Sequence, residues 1–175
     1  ADQGKTPMLF ADETCILGII SVADAVKPTS REAVRQLKEQ GVEVVMLTGD
    51  NKNIGDAVAA ELGLDESYAQ LLPNEKVEVL EKLDSRKRPG SKLAFVGDGI
   101  NDAPVLARAD IGIAMGGLGS DAAIDAADVV LMTDEPGKLV EAIGIARETR
   151  KIVVQNIVFA LGIKGIFLAL GALGM

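Results

Sequence analysis

The stretch Gly97-Asp98-Gly99-Ile100-Asn101-Asp102-Ala103-Pro104 places two carboxylates and an amide on one tight turn. It follows an apolar run, Leu93 to Val96, that predicts a buried strand. The glycines in this turn let the backbone approach a phosphate closely. Mg²⁺ takes oxygen ligands, usually one or two protein carboxylates together with a substrate phosphate. Asp98 and Asp102 are therefore candidate Mg²⁺ ligands, the alternative being turn residues that bond only to their own backbone.

One upstream segment repeats this arrangement, and a second one supplies a lysine. Thr48-Gly49-Asp50-Asn51 follows the apolar run from Val42 to Leu47, and it offers a hydroxyl and backbone amides to phosphoryl oxygens unless it is an ordinary strand-to-helix connection. Pro73-Asn74-Glu75-Lys76 lies between the two turns, where Lys76 is either a solvated lysine or a group that neutralises an anion. Asp24 is a helix cap or a further phosphate-side carboxylate. A hydroxyl, a lysine and a carboxylate pair in this order indicate phosphoryl transfer.

Composition limits the class of function. The chain has 175 residues, of which 48 % are hydrophobic, and a formal charge of −8 from 18 basic and 26 acidic residues. This balance argues against a nucleic-acid partner, because phosphate backbones are bound by clustered lysine and arginine. The chain contains no histidine, which excludes a histidine base, a Ser-His-Asp triad and a histidine-ligated zinc site. Cys15 is the only cysteine, so no intrachain disulfide is possible.

Apolar strand patterns alternate with helical ones, which predicts βα units and a mostly parallel sheet in one α/β domain. The predicted strands are Met8–Phe10, Cys15–Ser21, Val42–Leu47, Tyr68–Leu71, Leu93–Val96, Ile111–Ala114 and Val129–Met132. The predicted helices cover about 28–40, 53–62 and 121–126, with others starting at Pro73, at an Asn101 cap and near Glu135. Ligands of open α/β sheets bind beyond the carboxyl ends of the strands, so the three polar segments are expected on one side.

The C-terminal stretch from Asn156 to Met175 is apolar apart from one charged residue, Lys164. A spanning helix needs roughly 20 mainly apolar residues, so the stretch predicts a membrane span, the alternative being a buried core helix. In a helix that begins near Ile152, Lys164 lies about 18 Å along the axis. An ionisable residue near mid-bilayer indicates a functional site, unless the side chain snorkels to an interface. We therefore divide the chain into a domain over 1–150 and a helix over 151–175.

Five motifs together resemble the phosphorylation domain of P-type ATPases: TGDN at 48–51, PNEK at 73–76, GDGINDAP at 97–104, ADIGIAMG at 109–116 and ADVVLM at 127–132. The resemblance implies a Rossmann-like, haloacid dehalogenase-type fold. The heavy-metal branch is indicated because ADVVLM leads through one helix to the membrane stretch. Lys164 in FALGIK is similar to the zinc, cadmium and lead exporters, whereas copper exporters typically carry a Tyr-Asn pair in this helix.

The resemblance implies roles for the residues of the two turns. Asp98 would be the Mg²⁺ ligand, with Asn101 and Asp102 organising the metal waters and the phosphate. Thr48 and Gly49 would contact the phosphoryl group.

Three further residues and the cofactors follow from the same resemblance. Lys76 would stabilise the phosphoryl charge, Asp50 would support the nucleotide region, and Lys164 would belong to the transport-site helix. Such enzymes use ATP and Mg²⁺, and an aspartate attacks the γ-phosphate to give an aspartyl phosphate whose hydrolysis is coupled to ion movement. The implied partners are a transported Zn²⁺, Cd²⁺ or Pb²⁺ ion and membrane lipid. The implied location is the plasma membrane, with a multi-pass protein whose phosphorylation domain is cytoplasmic.

The family's nucleophile lies in an Asp-Lys-Thr-Gly-Thr motif, and no such sequence occurs between Ala1 and Met175. We therefore expect this chain to be the C-terminal part of a larger pump. The actuator domain, the nucleotide-binding domain and the other membrane helices of that pump would be its partners. In the related fold the nucleophile strand lies between the strands that carry TGD and GDGIND, so we expect an interrupted sheet. The isolated chain is predicted neither to form a phosphoenzyme nor to hydrolyse ATP.

Two other functions fit the same residues. A soluble phosphatase of the haloacid dehalogenase type shares the sheet and the GD-x-x-ND carboxylates. A non-catalytic Mg²⁺- and phosphate-binding module would act by binding a partner chain. The stretch from Asn156 to Met175 separates the first alternative from the pump, because a membrane helix favours the pump.

Overall fold

The computed structural model describes residues 6–12, 15–22, 26–97, 100–116 and 121–174. The chain divides into two compact units, Ala1–Lys138 and Leu139–Met175. The strands of the first unit are β1 (Thr6–Ala11), β2 (Ile16–Val22), β3 (Val45–Leu47), β4 (Glu66–Tyr68), β5 (Ala94–Gly97), β6 (Ile111–Met115) and β7 (Val129–Leu131). Its helices are α1 (Pro28–Glu39), α2 (Lys52–Leu62), α3 (Pro73–Arg86), α4 (Ala103–Leu106) and α5 (Asp121–Ala126). A 3₁₀ turn, Ile100–Asp102, precedes α4, and α6 (Gly137–Ala172) supplies nearly all of the second unit.

The strands after the first hairpin pair in parallel, as the alternation of strand and helix patterns predicts. Strands β1 and β2 form an antiparallel hairpin, closed by hydrogen bonds between Asp12 and Cys15. Strand β3 pairs in parallel with β4, and β5, β6 and β7 form a second parallel sheet in that order. The mixed α/β architecture with a mostly parallel arrangement is therefore confirmed.

The parallel strands form two sheets in the part of the chain that the structure describes, with orders β3-β4 and β5-β6-β7. The break separates the strand that precedes Thr48 from the strand that ends at Gly97. An interruption is expected at this position from the sequence, since the nucleophile strand of the related fold lies between these two strands. Unpaired backbone groups on such edges are a template for a further strand.

Local chemistry explains where the helices of the first unit begin and end. Helix α1 starts with Pro28, whose fixed φ suits a first helical position, and its buried residues recur with helical spacing at Ala33, Val34 and Leu37. Asn51 caps α2, because its side-chain oxygen accepts a hydrogen bond from the Ile54 N–H at 3.0 Å. Helix α2 ends at Gly63, which adopts the left-handed conformation at φ 67°.

The core of the β5-β6-β7 half is built around the short helix α4. Val105 and Leu106 are the most deeply buried large side chains, at 0 % and 1 % exposure. They pack against the sheet through β5 and β6 and against α5. Strand β6 approaches the end of α4 so closely that a Cβ on Gly112 would lie 2.6 Å from the Leu106 carbonyl oxygen. Glycine at position 112 is therefore required by space.

Three local predictions were wrong. The strand expected over Tyr68–Leu71 lies at Glu66–Tyr68, because the backbone turns at Gln70 with φ 59°. The strand expected to begin at Val42 begins at Val45, since the Val44 N–H is bound by the Asp65 carboxylate at 2.8 Å. Asn101 does not cap the helix after the GDGIND turn. It lies inside the 3₁₀ turn, and Asp102 is the residue that precedes α4.

Helix α6 is continuous over 36 residues. At 1.5 Å per residue it is roughly 54 Å long, more than a bilayer core of about 30 Å requires. An 18-residue window within it has a mean hydropathy of 2.0, so by length and composition the helix is able to cross a membrane. None of its residues is buried, which does not fit a core helix. The predicted boundary between 150 and 151 lies inside this helix and stays a prediction.

The Asp110 side chain, which lies just before β6 in the chain, binds Leu93, the residue just before β5. Its carboxylate accepts a hydrogen bond from the Leu93 backbone N–H at 2.8 Å, and it pairs with the ammonium groups of Lys87 at 2.5 Å and Lys92 at 3.4 Å. The bonds from Lys87 and from the Leu93 N–H lower the pKa of Asp110 to about 2. The ionised carboxylate is therefore favoured in the folded state.

Replacing Gly112 with alanine is expected to lower the free energy of unfolding by about 1–3 kcal/mol, because the added methyl group collides with a backbone carbonyl that cannot rotate away. Urea unfolding in mild detergent, followed by the fluorescence of Tyr68, the only tyrosine, measures this. Gly18→Ala is the control, since a Cβ there meets nothing within 4 Å. Equal midpoints for Gly112→Ala and the wild type would contradict the close approach of α4 and β6.

Stability is expected to fall as the pH drops from about 4 towards 2, partly through Asp110. Its pKa is lower in the folded chain than the ordinary 3.8, so its stabilising effect is complete above 3.8 and is lost as the pH falls through the folded value. The variant Asp110→Asn should lose less stability than the wild type over this interval. Urea midpoints at pH 6, 4 and 2.5 measure the difference, with Asp56→Asn on an exposed position of α2 as the control. Parallel pH profiles for wild type and Asp110→Asn would exclude this role.

Candidate phosphoryl-transfer site

The loop after β3 is held by hydrogen bonds within the predicted TGD motif. The Thr48 hydroxyl donates to a carboxylate oxygen of Asp50 at 2.9 Å and accepts from the Asp50 backbone N–H at 3.1 Å. Gly49 and Asp50 are exposed, and Thr48 is half-buried. A Cβ on Gly49 would lie 3.4 Å from the Leu71 carbonyl oxygen, so this residue lies close to the segment that follows β4. The loop thus presents a fixed hydroxyl near solvent.

Lys76 is placed by the first turn of α3. Pro73 begins the helix, and the Glu75 carboxylate accepts a hydrogen bond from the Leu72 backbone N–H at 2.7 Å. The Lys76 N–H donates to the Leu72 carbonyl at 3.0 Å, which closes the first helical turn. From this position the Lys76 ammonium donates to Oδ1 of Asp102 at 2.8 Å. The lysine is therefore directed at the turn after β5.

The Lys76–Asp102 pair is largely shielded from water. The side chains of Lys76 and Asp102 are 17 % and 12 % exposed. Removing two charged groups from water costs free energy, and the attraction between them offsets this cost only when their distance and hydrogen-bond geometry are favourable. The pair joins the PNEK segment to the GDGIND turn, two segments that the sequence analysis assigns to one site.

Gly97 makes room for Asp102. A Cβ at position 97 would lie 2.8 Å from the Asp102 Cβ and 3.0 Å from its Oδ2. Even alanine would therefore displace the carboxylate that binds Lys76. The glycine before Asp98 is required by this contact, a reason different from the approach of a phosphate that the sequence suggests for the glycines of this turn.

The structure brings the predicted site residues together in two groups. Thr48, Gly49 and Asp50 form one loop, while Lys76 and Asp102 form the ion pair. Asn101 lies exposed on the 3₁₀ turn beside this pair.

The other predicted residues are Asp98, Asp24 and Lys164. Asp98 and Asp24 lie outside the described residues. Lys164 lies in α6, within the second unit, and its proposed place at a transport site stays a prediction.

Oxygen donors suited to Mg²⁺ are present at this site. Among the described residues there is no group of three or more histidine, cysteine or acidic side chains able to hold a metal ion. Mg²⁺ does not require such a group, because it usually binds through one or two carboxylates, waters and a substrate phosphate. Asp102 keeps one carboxylate oxygen on Lys76, so its second oxygen, Oδ2, is the donor left for a metal or its waters. The residues present therefore fit Mg²⁺ bound together with a phosphate.

Two residues beside this site have features that the sequence did not predict. Glu75 was noted only as part of the PNEK motif, although an acidic residue three positions after Leu72 matches the pattern of a helix-capping glutamate. Gln70 adopts a positive φ of 59°. No sequence pattern indicates this, because glutamine is not among the residue types enriched in that conformation.

Comparison with known proteins places these observations in a family. Residues 1–110 match the haloacid dehalogenase-like hydrolases. The chain belongs to this family. Its parallel α/β fold and its polar turns after β3 and β5 agree with the match.

Several relatives within the family are metal-transporting ATPases. The chain is 60 % identical over 159 residues to the cadmium, zinc and cobalt-transporting ATPase of Bacillus subtilis (strain 168), which covers 90 % of the chain and 23 % of the relative. It is 61 % identical over 159 residues to the zinc-transporting ATPase of Synechocystis sp., covering 90 % of the chain and 22 % of that protein. The chain thus spans less than a quarter of the length of these relatives.

A crystal structure shares the fold over almost the whole chain. A zinc-transporting PIB-type ATPase in the E2.Pi state superimposes with a TM-score of 0.88 at 44 % identity, covering 99 % of this chain and 28 % of that one. The resemblance to heavy-metal P-type ATPases is therefore confirmed, and the soluble phosphatase is not favoured.

Breaking the Lys76–Asp102 pair is expected to destabilise this unit. Lys76→Met leaves the Asp102 carboxylate mostly buried without its cation, which should lower the free energy of unfolding by about 1–3 kcal/mol. Lys82→Met is the matched control, because Lys82 lies on the same helix but is exposed, and it should change stability by about 0.5 kcal/mol or less. Urea unfolding followed by Tyr68 fluorescence compares the two. Equal losses for both variants would show that the pair contributes nothing beyond an ordinary surface lysine.

Proposed function

We propose that this chain is part of an ATP-driven exporter of divalent heavy-metal cations that works through an aspartyl phosphate. The observation that carries the proposal is the Lys76–Asp102 ion pair, which unites two phosphoryl-transfer motifs in one shielded contact. The identity to ATPases named for cadmium, zinc and cobalt transport supports it. The chain holds the phosphate-binding side of the reaction, and the nucleophilic aspartate lies on a segment outside its 175 residues.

The residues of this chain bind and orient the transferred phosphoryl group. The backbone N–H at Gly49 donates a hydrogen bond to its oxygens, the Thr48 hydroxyl turns its one proton from Asp50 to them when the group binds, and the Lys76 ammonium offsets their charge. Catalysis of phosphoryl transfer consists mainly of such positioning and charge stabilisation. Asp50 holds the Thr48 hydroxyl by accepting its hydrogen bond, and it supports the nucleotide side of the site.

Asp102 positions Lys76 through Oδ1, and its Oδ2 faces the end of β5 beside Gly97. With Asp98 and Asn101 it would hold Mg²⁺ and its waters. When bound, Mg²⁺ would offset the negative charge of the phosphoryl group that passes from ATP to the enzyme. ATP and Mg²⁺ are thus the cofactors of the whole enzyme.

Helix α6 is proposed to cross the plasma membrane, in contact with lipid, with the first unit on the cytoplasmic side. Lys164 lies within its apolar part, where a charged side chain is costly unless it serves a function. We assign it to the transport pathway for Zn²⁺, Cd²⁺ or Pb²⁺. The actuator and nucleotide-binding domains and the remaining membrane helices of the pump complete the machinery.

The proposal is tested in the full-length protein that carries this chain, prepared in membrane vesicles. Labelled ATP with Mg²⁺ should give an acid-stable, hydroxylamine-sensitive phosphoenzyme, and Zn²⁺, Cd²⁺ or Pb²⁺ should stimulate turnover. Asp98→Ala and Lys76→Met should each slow phosphoenzyme formation about 100-fold or more, because the first removes a ligand of the Mg²⁺ that offsets phosphoryl charge and the second removes a cation that does so directly. Lys82→Met and Asp56→Ala, both at exposed positions, should retain the wild-type rate.

Two results would contradict this assignment. Metal-stimulated turnover that survives Asp98→Ala would separate the GDGIND turn from catalysis. Label on the 175-residue chain alone, or hydrolysis of p-nitrophenyl phosphate by it, would favour a self-sufficient phosphatase instead.

A further inference from the structure

Gln70 has an unusual backbone conformation beside the candidate site. Among the residues that the structure describes, it is the non-glycine residue with positive φ, at 59°. This left-handed region is uncommon for residues with a side chain, and asparagine, aspartate and histidine adopt it more readily than glutamine. Its side chain is exposed, so burial does not explain the conformation. Sparsely populated conformations of this kind concentrate at functional sites.

The left-handed turn directs two successive N–H groups to the TGD loop. The Gln70 N–H donates to the Asp50 carbonyl at 2.8 Å, and the Leu71 N–H donates to the Thr48 carbonyl at 3.1 Å. Successive N–H groups of an extended strand point to opposite sides, so a strand cannot make both bonds to one loop. A left-handed residue lets neighbouring N–H groups converge on one partner.

The same segment starts the helix that carries Lys76. Directly after Leu71, the Leu72 N–H binds the Glu75 carboxylate at 2.7 Å, and the Leu72 carbonyl accepts from the Lys76 N–H at 3.0 Å. Residues 70–72 therefore connect the TGD loop to the first turn of α3 through successive hydrogen bonds of their main-chain groups, one of them to the Glu75 side chain. Because no flexible stretch intervenes, the conformation at Gln70 sets where the loop lies relative to Lys76.

We propose that Gln70 is a positioning residue for phosphoryl transfer. Its left-handed backbone fixes the position of the Thr48 loop relative to Lys76, so that the loop and the lysine reach the same phosphoryl group. This inference rests on the proposed function for its catalytic consequence, whereas the backbone part stands on the hydrogen bonds alone. Because these contacts are made by backbone groups and the side chain is exposed, the residue acts by its backbone conformation.

A conformational role predicts which substitutions are tolerated. Gln70→Gly and Gln70→Asn keep access to the left-handed region, whereas Gln70→Val disfavours it strongly because its side chain is β-branched. In the full-length protein the valine variant should lower kcat for ATP hydrolysis about tenfold or more while the KM for ATP stays within about twofold, since small misplacement of reacting groups lowers the chemical rate. The glycine and asparagine variants should retain kcat. Gln40→Val is the control, because Gln40 has an ordinary φ of −83°.

Hydrogen exchange of the 175-residue chain in detergent micelles supplies a readout that is independent of activity. The amides of Gln70 and Leu71 should be protected in the wild type and in Gln70→Gly, and should exchange faster in Gln70→Val. Unchanged protection of the amides of Val79 and Leu80, which are buried in α3, would show that the valine variant remains folded.

The outcomes separate the two proposals. A wild-type full-length protein that forms no phosphoenzyme would contradict the proposed function, and the exchange measurement would still test the backbone role. An active wild type with equal kcat for Gln70→Val and Gln70→Gly would overturn the inference. Equal amide protection at residues 70 and 71 in the valine and glycine variants would overturn it as well.

Discussion

Among the described residues, the ion pair between Lys76 and Asp102 is the most shielded of the side-chain pairs that link α3 to the β5-β6-β7 half of the first unit. Helix α3 follows the β3-β4 sheet in the chain, and the turn with Asp102 belongs to the β5-β6-β7 sheet. No strand hydrogen bonds join these two sheets among the described residues, so helix packing and side chains must do so. Helix α3 packs against α4, and Arg108 donates to Glu81 across this contact at 2.8 Å. The Arg108–Glu81 pair is exposed, so it contributes little to stability. The Lys76–Asp102 pair is shielded from water, so loss of either partner would leave a mostly buried charge unpaired.

Two glycines leave the space that this contact and the packing of α4 on β6 require. Gly97 lets the Asp102 side chain rest against the end of β5, and Gly112 lets β6 approach the backbone of Leu106. Both positions tolerate no larger residue without movement of main-chain or charged atoms. The carboxylate, the short helix and the sheet therefore form one tightly packed support for the candidate site. Preorganised groups of this kind stabilise developing charge without having to rearrange during the reaction.

The second unit is a single long helix whose apolar surface is not buried within the chain. Helix α6 carries charged residues up to Lys151, and Lys164 is the one charged residue in the apolar part that follows. Main-chain groups of a helix are satisfied internally, so the segment keeps its structure in lipid as readily as in water. Its apolar surface needs a hydrocarbon or protein environment, in agreement with the membrane location that we propose.

The sequence alone determined the strand-helix alternation, the motifs after β3 and β5, and the apolar C-terminal helix. These features arise from local periodicity, from capping residues such as Asn51, and from glycines such as Gly63, and neighbouring residues suffice to specify them. The tertiary structure decided that Lys76 binds Asp102, that Gly97 leaves room for the Asp102 side chain, and that the backbone at Gln70 is left-handed. Such features depend on residues distant in the chain, because only the packed fold determines which groups lose water and which backbone conformations are held against their local preference.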